Sequence, residues 1–254
     1  MMKHVMKEVT RKEFYVFSPF LRVFHWLMVS LILVLFATGV IIATPLQSMN
    51  LEPTFSATYM DLVRDIHFVA AFLFCASFVL RIYGFIVNKG DRLFPHVWKG
   101  RFYRNTLDVL KHYMLVRPNH SSYLRNPMAR MSYVLLYALV FIEFVTGFCM
   151  YYMRDPNGSM AQIMAWVNVV CGNEMNVHLV HHYVAWGIIL FAIGHLYMVI
   201  RSEFMEGESE VSSMFSGSKF LIHYPVDAVD IETKADRRER LAREKKEREN
   251  SRNK

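Results

Sequence analysis

Residues 179–200 read LVHHYVAWGIILFAIGHLYMVI, an apolar run with no Asp, Glu, Lys or Arg and with three histidines. As an α-helix, a run of this length rises about 33 Å, which is enough to cross the hydrocarbon core of a bilayer, about 30 Å thick. Acidic and basic side chains are almost excluded from such a core, whereas a long soluble helix carries them on its outer face. The run therefore predicts a membrane-spanning helix.

Three further apolar stretches are long enough to span a bilayer. The whole chain has 254 residues, of which 54% are hydrophobic and only 20% are charged, below the roughly 25% that is usual in soluble domains. No small-residue cleavage site follows the first stretch, so a cleaved signal peptide is excluded. We predict an all-α integral membrane four-helix bundle with spans at about 23–44, 62–87, 131–153 and 179–200.

The positions of Lys and Arg predict the orientation of the chain. Residues 1–22 carry five of them, residues 88–130 carry nine, and residues 201–254 carry twelve. In contrast, residues 45–63 carry none and residues 151–179 carry only Arg154. By the positive-inside rule both termini and the long middle connection are cytoplasmic. The net charge of +7 is thus a topology signal, and we expect no nucleic-acid partner.

Two polar regions flank the spans. In residues 101–116, apolar side chains recur at helical spacing (Phe102, Leu107, Leu110, Met114), which predicts an amphipathic helix on the inner membrane surface or capping the bundle. Residues 232–254 hold ten basic and six acidic residues. We predict one domain over residues 1–220 and a solvated, flexible cytoplasmic tail over residues 221–254.

Several chemistries are excluded by the motifs that the sequence lacks. The three cysteines (Cys75, Cys149, Cys171) form neither CxxC nor CxxCH, so a zinc site and a covalently attached haem are not indicated. There is also no HExxH, no glycine-rich phosphate loop and no nucleophile elbow.

The histidines of the spans are the candidates for function, because an ionisable side chain in hydrocarbon is costly. With the predicted orientation, His25 and His195 lie at one depth near the cytoplasmic surface. His67 lies near the outer surface, at the depth of His181 and His182. We expect the remaining loop histidines to be exposed or interfacial (His4, His96, His112, His120, His223).

The helical angle selects His181 over its neighbour. At 100° per residue, the fourteen residues from His181 to His195 return to within about 40° of the same face, whereas His182 lies about 140° away from His195. The same step separates His181 from His195 by about 21 Å along the axis. This distance is too long for one metal ion and leaves room for two stacked macrocycles.

Bis-histidine ligation of two iron porphyrins between facing helices fits this pattern. We predict that His25 and His195 bind an inner haem iron and that His67 and His181 bind an outer one. Fourteen residues beyond His67 lies Arg81, at the inner depth, where it can pair with a haem propionate. The alternative is that Arg81 extends to the cytoplasm and that two glycines serve helix packing (Gly39, Gly147).

One carboxyl group, that of Glu143, lies within the third span. Proton transfer is one possible role for it. A neutral, hydrogen-bonded structural role is the prediction that we favour.

The sequence resembles the b-type cytochrome subunit of membrane-bound nickel–iron uptake hydrogenases over residues 15–220. The matching segments are RVFHW at 22–26, IHFVAAFLF at 66–74, LRIY at 80–83, NPMAR at 126–130, TGF at 146–148, VHLVHHY at 177–183, AIGHLYMVIRSE at 192–203 and SEFMEGESEVSSMFSGSK at 202–219. The membrane cytochrome of formate dehydrogenase has a similar histidine layout, but the last segment resembles the hydrogenase type more closely. His182 and the long basic tail depart from the family pattern.

The resemblance implies a role in a respiratory chain of a bacterial inner membrane. Electrons from the iron–sulfur small subunit of the hydrogenase, whose nickel–iron large subunit splits dihydrogen, would pass through the outer and inner haem b to a quinone. The chain itself would be an electron-transfer subunit. We place the quinone near the inner haem, with Arg81 and the connection after the second span as candidates.

Two other functions remain open from the sequence. One is a dihaem cytochrome that serves another donor, such as formate dehydrogenase, thiosulfate reductase or a cytochrome b561-like partner. The other is a histidine-lined transporter, which predicts internal repeats or broken helices and no haem.

Overall fold

The helices and strands of the chain are seen in a computed structural model that describes residues 12–44, 53–87, 100–116, 123–124, 126–207, 209–221 and 225. These residues form seven α-helices: α1 Pro19–Ala43, α2 Pro53–Val87, α3 Gly100–Tyr113, α4 Pro127–Tyr152, α5 Ser159–Cys171, α6 Glu174–Arg201 and α7 Glu210–Ser216. They also form a π-helical turn, Ser202–Glu206, and two strands, β1 Lys12–Tyr15 and β2 Ser218–Leu221.

Four of these helices are long and apolar enough to cross a membrane, namely α1, α2, α4 and α6. The prediction of four spanning helices is confirmed. Each spanning helix begins several residues before the predicted span, because a residue that favours helix initiation stands there. Pro19, Pro53 and Pro127 open α1, α2 and α4, at a position where the missing N–H of proline costs nothing.

Side-chain caps define the starts of three spanning helices. The hydroxyl of Ser18 accepts a hydrogen bond from the Leu21 N–H at 3.2 Å. The Asn126 side-chain oxygen accepts one from the Met128 N–H at 2.9 Å, and that of Asn173 accepts one at 2.8 Å from the third residue of α6. These caps satisfy N–H groups that have no partner within the helix.

The chain divides into two compact units, and the first holds most of the spanning residues, 18–92 and 132–198. At its centre, five buried residues contributed by all four spanning helices form an apolar cluster, which we call the central layer (Leu31, Ala70, Phe74, Val140, Ile188). Close packing of this kind holds membrane helices together, because lipid supplies little hydrophobic drive between them.

The other unit comprises residues 1–17, 93–131 and 199–254. Here β1 and β2 pair antiparallel, with Lys12 opposite Leu221. The fully buried ammonium group of Lys219 donates to the Tyr123 carbonyl at 2.8 Å and pairs with Glu210 at 2.5 Å. A buried charge is tolerated only when it is paired in this way. Of the predicted tail, 221–254, all residues except Leu221 and Pro225 lie outside the described residues.

The amphipathic helix predicted over 101–116 is present as α3. Phe102 is buried, whereas Leu107 and Met114 are exposed. The buried side also includes Val109 and His112. Of the two expectations for His112, exposed or interfacial, exposure is wrong, since only 3% of this residue is exposed. Four of the loop histidines lie outside the described residues (His4, His96, His120, His223).

Helix α5 was not expected from the sequence. Its 13 residues are apolar but span only about 20 Å, too short to cross a bilayer. Val167 of α5 packs against Cys149 of α4 and Val177 of α6. All three cysteines of the chain are free.

Candidate functional site

Two span histidines from opposite ends of the sequence face each other. His25 of α1 and His195 of α6 have ring centroids 6.4 Å apart and ring planes inclined at 57°. A transition-metal ion between two imidazoles, each at about 2 Å from a ring nitrogen, separates the ring centroids by roughly 6 Å. The observed spacing would therefore let the two imidazoles hold one metal ion between them.

His67 of α2 and His181 of α6 are the second predicted pair. The Nδ1 atom of His67 lies 2.8 Å from the hydroxyl of Thr38 in α1, and that of His181 lies 2.9 Å from the hydroxyl of Thr146 in α4. Each ring is thus held by a threonine on the neighbouring spanning helix.

The threonine hydroxyls determine which ring nitrogen carries the proton. Thr38 donates to the Val34 carbonyl and Thr146 donates to the Ile142 carbonyl, both at 2.7 Å. Because each hydroxyl hydrogen is used within its own helix, the hydroxyl oxygen accepts from the imidazole, which must carry its proton on Nδ1. The Nε2 atom of each ring then keeps a lone pair for a metal.

A glycine follows each of these threonines and lies against the same histidine. A Cβ atom added at Gly39 would lie 3.6 Å from Cε1 of His67, and one added at Gly147 would lie 3.3 Å from Cε1 of His181. At Gly147 a Cβ atom would be tighter than an ordinary contact, so the missing side chain gives the His181 ring room, whereas at Gly39 a Cβ atom would make an ordinary contact. The Thr-Gly sequence thus occurs twice, once in α1 and once in α4, and each copy contacts one histidine of the second pair.

Glu143 also contacts the second pair. Its Oε2 atom lies 2.7 Å from Nδ1 of His181, and its side chain is only 12% exposed. Glu143 therefore lies against a candidate ligand histidine. The Oε1 atom is buried without a hydrogen-bond partner among the described residues.

Arg81 lies at the depth of the first pair, as expected from its distance to His67 along α2. Its guanidinium group lies 5.8 Å from the ring centroid of Phe24, the neighbour of His25, and only 3% of the residue is exposed. At the other depth, Arg154 stands 5.9 Å from the ring centroid of Phe68, the neighbour of His67.

His182 points away from both pairs. It is exposed, and its Nε2 accepts a hydrogen bond from the Trp186 indole N–H at 3.1 Å. The helical angle predicts this orientation, with His181 rather than His182 facing the bundle interior.

The central layer separates the two pairs. Ile188 lies seven residues from both His181 and His195, which places the layer halfway between them along α6. Within the described part of the chain, no three His, Cys, Asp or Glu side chains cluster as ligands for a bare metal ion. Two imidazoles without a third protein ligand would fit a haem iron, because the porphyrin would supply its remaining ligands.

The sequence reasoning missed the two threonines. A signal was available, because Thr38-Gly39 and Thr146-Gly147 are the Thr-Gly pairs of the first and third spans, at the predicted depth of the outer histidines. Only the glycines were considered. A threonine that bonds to its own helix is usually structural, so its contact with histidine becomes visible only in three dimensions.

Residues 16–217 match the profile of the family described as prokaryotic cytochrome b561. The chain is 32% identical over 223 residues to the probable Ni/Fe-hydrogenase B-type cytochrome subunit of Rhizobium leguminosarum bv. viciae, covering 85% of this chain and 92% of that protein. Identity to the subunit of that name from Cupriavidus necator is 33%, with 81% and 86% covered. The probable Ni/Fe-hydrogenase 1 B-type cytochrome subunit of Escherichia coli K12 is 30% identical, with 80% and 89% covered.

The family match covers α1, α4 and α6 entirely, as well as α2, and includes His25, His67, His181 and His195. A b-type cytochrome binds haem b, which agrees with the two-imidazole donor sets. The chain therefore belongs to the prokaryotic cytochrome b561 family, among the Ni/Fe-hydrogenase B-type cytochrome subunits.

Proposed function

We propose that the chain is the dihaem membrane subunit of a nickel–iron hydrogenase and carries electrons from the hydrogenase small subunit to a quinone. The observation that carries this proposal is the pair of two-histidine sites at two depths of one bundle. A single haem would leave one of these sites without a role, and a buried histidine pair in a membrane is costly.

Four histidines would hold the two haems. His25 and His195 are the proposed ligands of the inner haem iron, and His67 and His181 are those of the outer one. Arg81 is the proposed partner of an inner haem propionate, because a guanidinium group binds carboxylates well in a buried setting. Haem b, when bound, supplies a one-electron couple between ferric and ferrous iron.

The protein positions these groups and keeps water away from them. Thr38 and Thr146 orient the outer imidazoles with Nε2 free. The central layer fills the space between the sites with apolar side chains, and the ring of Phe144 packs against it, 5.5 Å from that of Phe74. A dry, rigid site of this kind limits the reorganisation that accompanies electron transfer.

The proposed orientation places both termini in the cytoplasm of a bacterial inner membrane. Residues 1–17, 93–131 and 199–254 belong to one compact unit, which supports a common side for these three regions. The outer pair would then face the hydrogenase small and large subunits. The quinone would bind near the inner pair, with Arg81 and the connection after α2 as candidate contacts.

Haem content tests the cytochrome part of this proposal. The purified chain should show a b-type α band in its reduced-minus-oxidised spectrum and two haems per chain by pyridine haemochrome assay. Changing His67 or His181 to Ala should remove one haem, whereas His182→Ala should remove none. Absence of the α band, or retention of both haems in the His181→Ala chain, would refute the assignment.

Co-purification tests the partner. Affinity purification of the full chain from its native membrane should recover a hydrogenase small subunit, and dihydrogen should reduce both haems in those membranes. Recovery of a formate dehydrogenase or thiosulfate reductase subunit instead would support the other cytochrome function and overturn this one.

A further inference from the structure

Helix α3 presents different surfaces on its different sides. One side is buried (Phe102, Val109, His112, Tyr113). The opposite side carries two neighbouring exposed stripes, since residues four or seven positions apart leave a helix in similar directions. The apolar stripe consists of Tyr103, Leu107 and Met114, and the basic stripe consists of Arg104 and Lys111. An exposed apolar stripe beside a basic one is typical of a helix that lies in a membrane interface.

The charges of α3 favour an anionic surface as its partner. Arg101, Arg104 and Lys111 are exposed, whereas the one acidic residue of the helix, Asp108, is half-buried. Arg104 and Lys111 are seven residues apart, so their side chains leave the helix within about 20° of each other. When the apolar stripe lies among acyl chains, these two cations are at the level of the lipid phosphates.

The C-terminal end of α3 contacts the end of a spanning helix. Tyr113 is the last residue of α3, and Arg201 is the last residue of α6. The guanidinium carbon of Arg201 lies 5.9 Å from the ring centroid of Tyr113. Arg201 directly follows the apolar run 179–200, so this contact brings the end of α3 to the level at which α6 leaves the hydrocarbon core.

The residue that closes α3 has an unusual backbone conformation. Leu115 has a φ of 65°, in the left-handed region that glycine commonly occupies at the end of a helix and that is strained for leucine. Its N–H donates to the His112 carbonyl at 3.0 Å, and the Val116 N–H donates to the Lys111 carbonyl at 2.9 Å. The Leu115 side chain packs little within the chain, since 72% of the residue is exposed. A strained and exposed leucine favours a contact outside the chain.

We propose that α3 is a lipid-binding helix that lies in the membrane interface and prefers anionic phospholipids. Leu107, Met114 and Leu115 enter the acyl region, and Arg104 and Lys111 donate charge-assisted hydrogen bonds to headgroup phosphates. This inference goes beyond the proposed electron transfer. It depends neither on the haem ligands nor on which side of the membrane is cytoplasmic.

Hydrogen–deuterium exchange of the unsubstituted full chain in nanodiscs tests the proposal directly. Amides of α3 should exchange at least about fivefold more slowly in phosphatidylglycerol than in phosphatidylcholine, and high salt should reduce this difference. Helix α5 is the internal control, because it carries no charged residue and should exchange equally in both lipids. Equal exchange of α3 in the two lipids would overturn the proposal, and it is the result expected if α3 instead docks a protein.

Two substitutions test the basic stripe. In a competition between the two lipids, followed by native mass spectrometry, Arg104→Gln and Lys111→Gln should each lower the preference for phosphatidylglycerol about fivefold. Arg64→Gln is the matched control, because it removes one positive charge from an exposed residue of α2 that is already paired with Asp61 at 3.6 Å. An unchanged preference in both α3 variants, or an equal loss in the control, would refute the role of the stripe.

The substitution Leu115→Gly separates lipid contact from helix closure. Glycine adopts a φ of 65° without strain, so the variant can close α3 in the same way. If the leucine only closed the helix, the lipid-dependent protection of α3 would persist. We expect this protection to fall about tenfold, because the variant has no leucine side chain to transfer out of water. Undiminished protection in a variant that remains folded would overturn the proposed insertion.

Discussion

At the scale of the residue, the second histidine pair depends on side chains that an ordinary sequence reading treats as packing. A threonine within a spanning helix can donate its hydroxyl hydrogen to the backbone carbonyl four residues earlier. Thr38 does so with Val34 and has an oxygen lone pair left for His67. The same hydroxyl group therefore donates a hydrogen bond within its own helix and orients the His67 ring on the next helix.

Replacing Thr38 by Val should weaken haem binding at the His67–His181 site. Valine has the same shape but cannot accept from Nδ1 of His67, and a buried donor without a partner costs about 1–3 kcal/mol. We expect faster loss of one haem than of the other when the purified chain is challenged with apomyoglobin, followed by the Soret band.

The control for this experiment is Ser30→Ala. The Ser30 hydroxyl also donates to a carbonyl four residues earlier, that of Trp26, but it lies on an exposed surface of α1. Its removal should leave both rates of haem loss unchanged. Equal rates for Thr38→Val and the unsubstituted chain would show that the hydroxyl does not support the site.

At the scale of the element, the four spanning helices meet in the central layer. Side chains on one face of a helix reach this layer, whereas those on the opposite face are exposed at the surface of the chain. Leu31 and Leu33 of α1 illustrate the difference, because they lie two residues apart and are 8% and 61% exposed. The same residue type therefore has two different energetic roles in one helix.

Replacing Leu31 by Ala should destabilise the bundle much more than replacing Leu33 by Ala. Truncating a buried leucine leaves a cavity and costs about 2–5 kcal/mol, whereas truncation at an exposed position typically changes stability by about 0.5 kcal/mol or less. Thermal unfolding of the two variants in the same detergent, followed by circular dichroism, measures the difference. Equal melting temperatures would show that the layer does not hold the helices together.

The helices also show where hydropathy was informative and where it was not. Twenty or more consecutive apolar residues must form a helix in a bilayer, because every backbone group has to be hydrogen-bonded, and this requirement predicted α1, α2, α4 and α6. Helix α5 is only 13 residues long, and no such requirement applies to it. The buried face of α3 depended on its neighbours, so His112 and Val109 could not be recognised in advance.

At the scale of the whole molecule, the distribution of charge predicts which regions share a side of the membrane. Described residues of all three Lys- and Arg-rich regions, among them Lys12, Arg101 and Lys219, belong to one compact unit. Two sequence-distant strands, β1 and β2, pair within that unit.

Reporter fusions test the predicted orientation. Green fluorescent protein fused to the C-terminus should fluoresce, because it folds in the cytoplasm, and alkaline phosphatase inserted at residue 156 should be active, because it needs the periplasm. Both outcomes are expected because Lys and Arg are in excess in residues 1–22, 88–130 and 201–254, which places these regions in the cytoplasm. Active phosphatase at the C-terminus would reverse the orientation and exchange the outer and inner sites.

Residue composition and spacing are enough to predict the four spanning helices and the face of α6 that carries His181 and His195, since a helix rises and turns by a constant amount per residue. The contacts between helices become visible only in the folded chain: Thr38 and Thr146 lie against the rings, Glu143 lies 2.7 Å from His181, and Arg81 lies beside Phe24. Contacts between helices depend on their rotation and separation, which are set by packing of side chains distant in sequence.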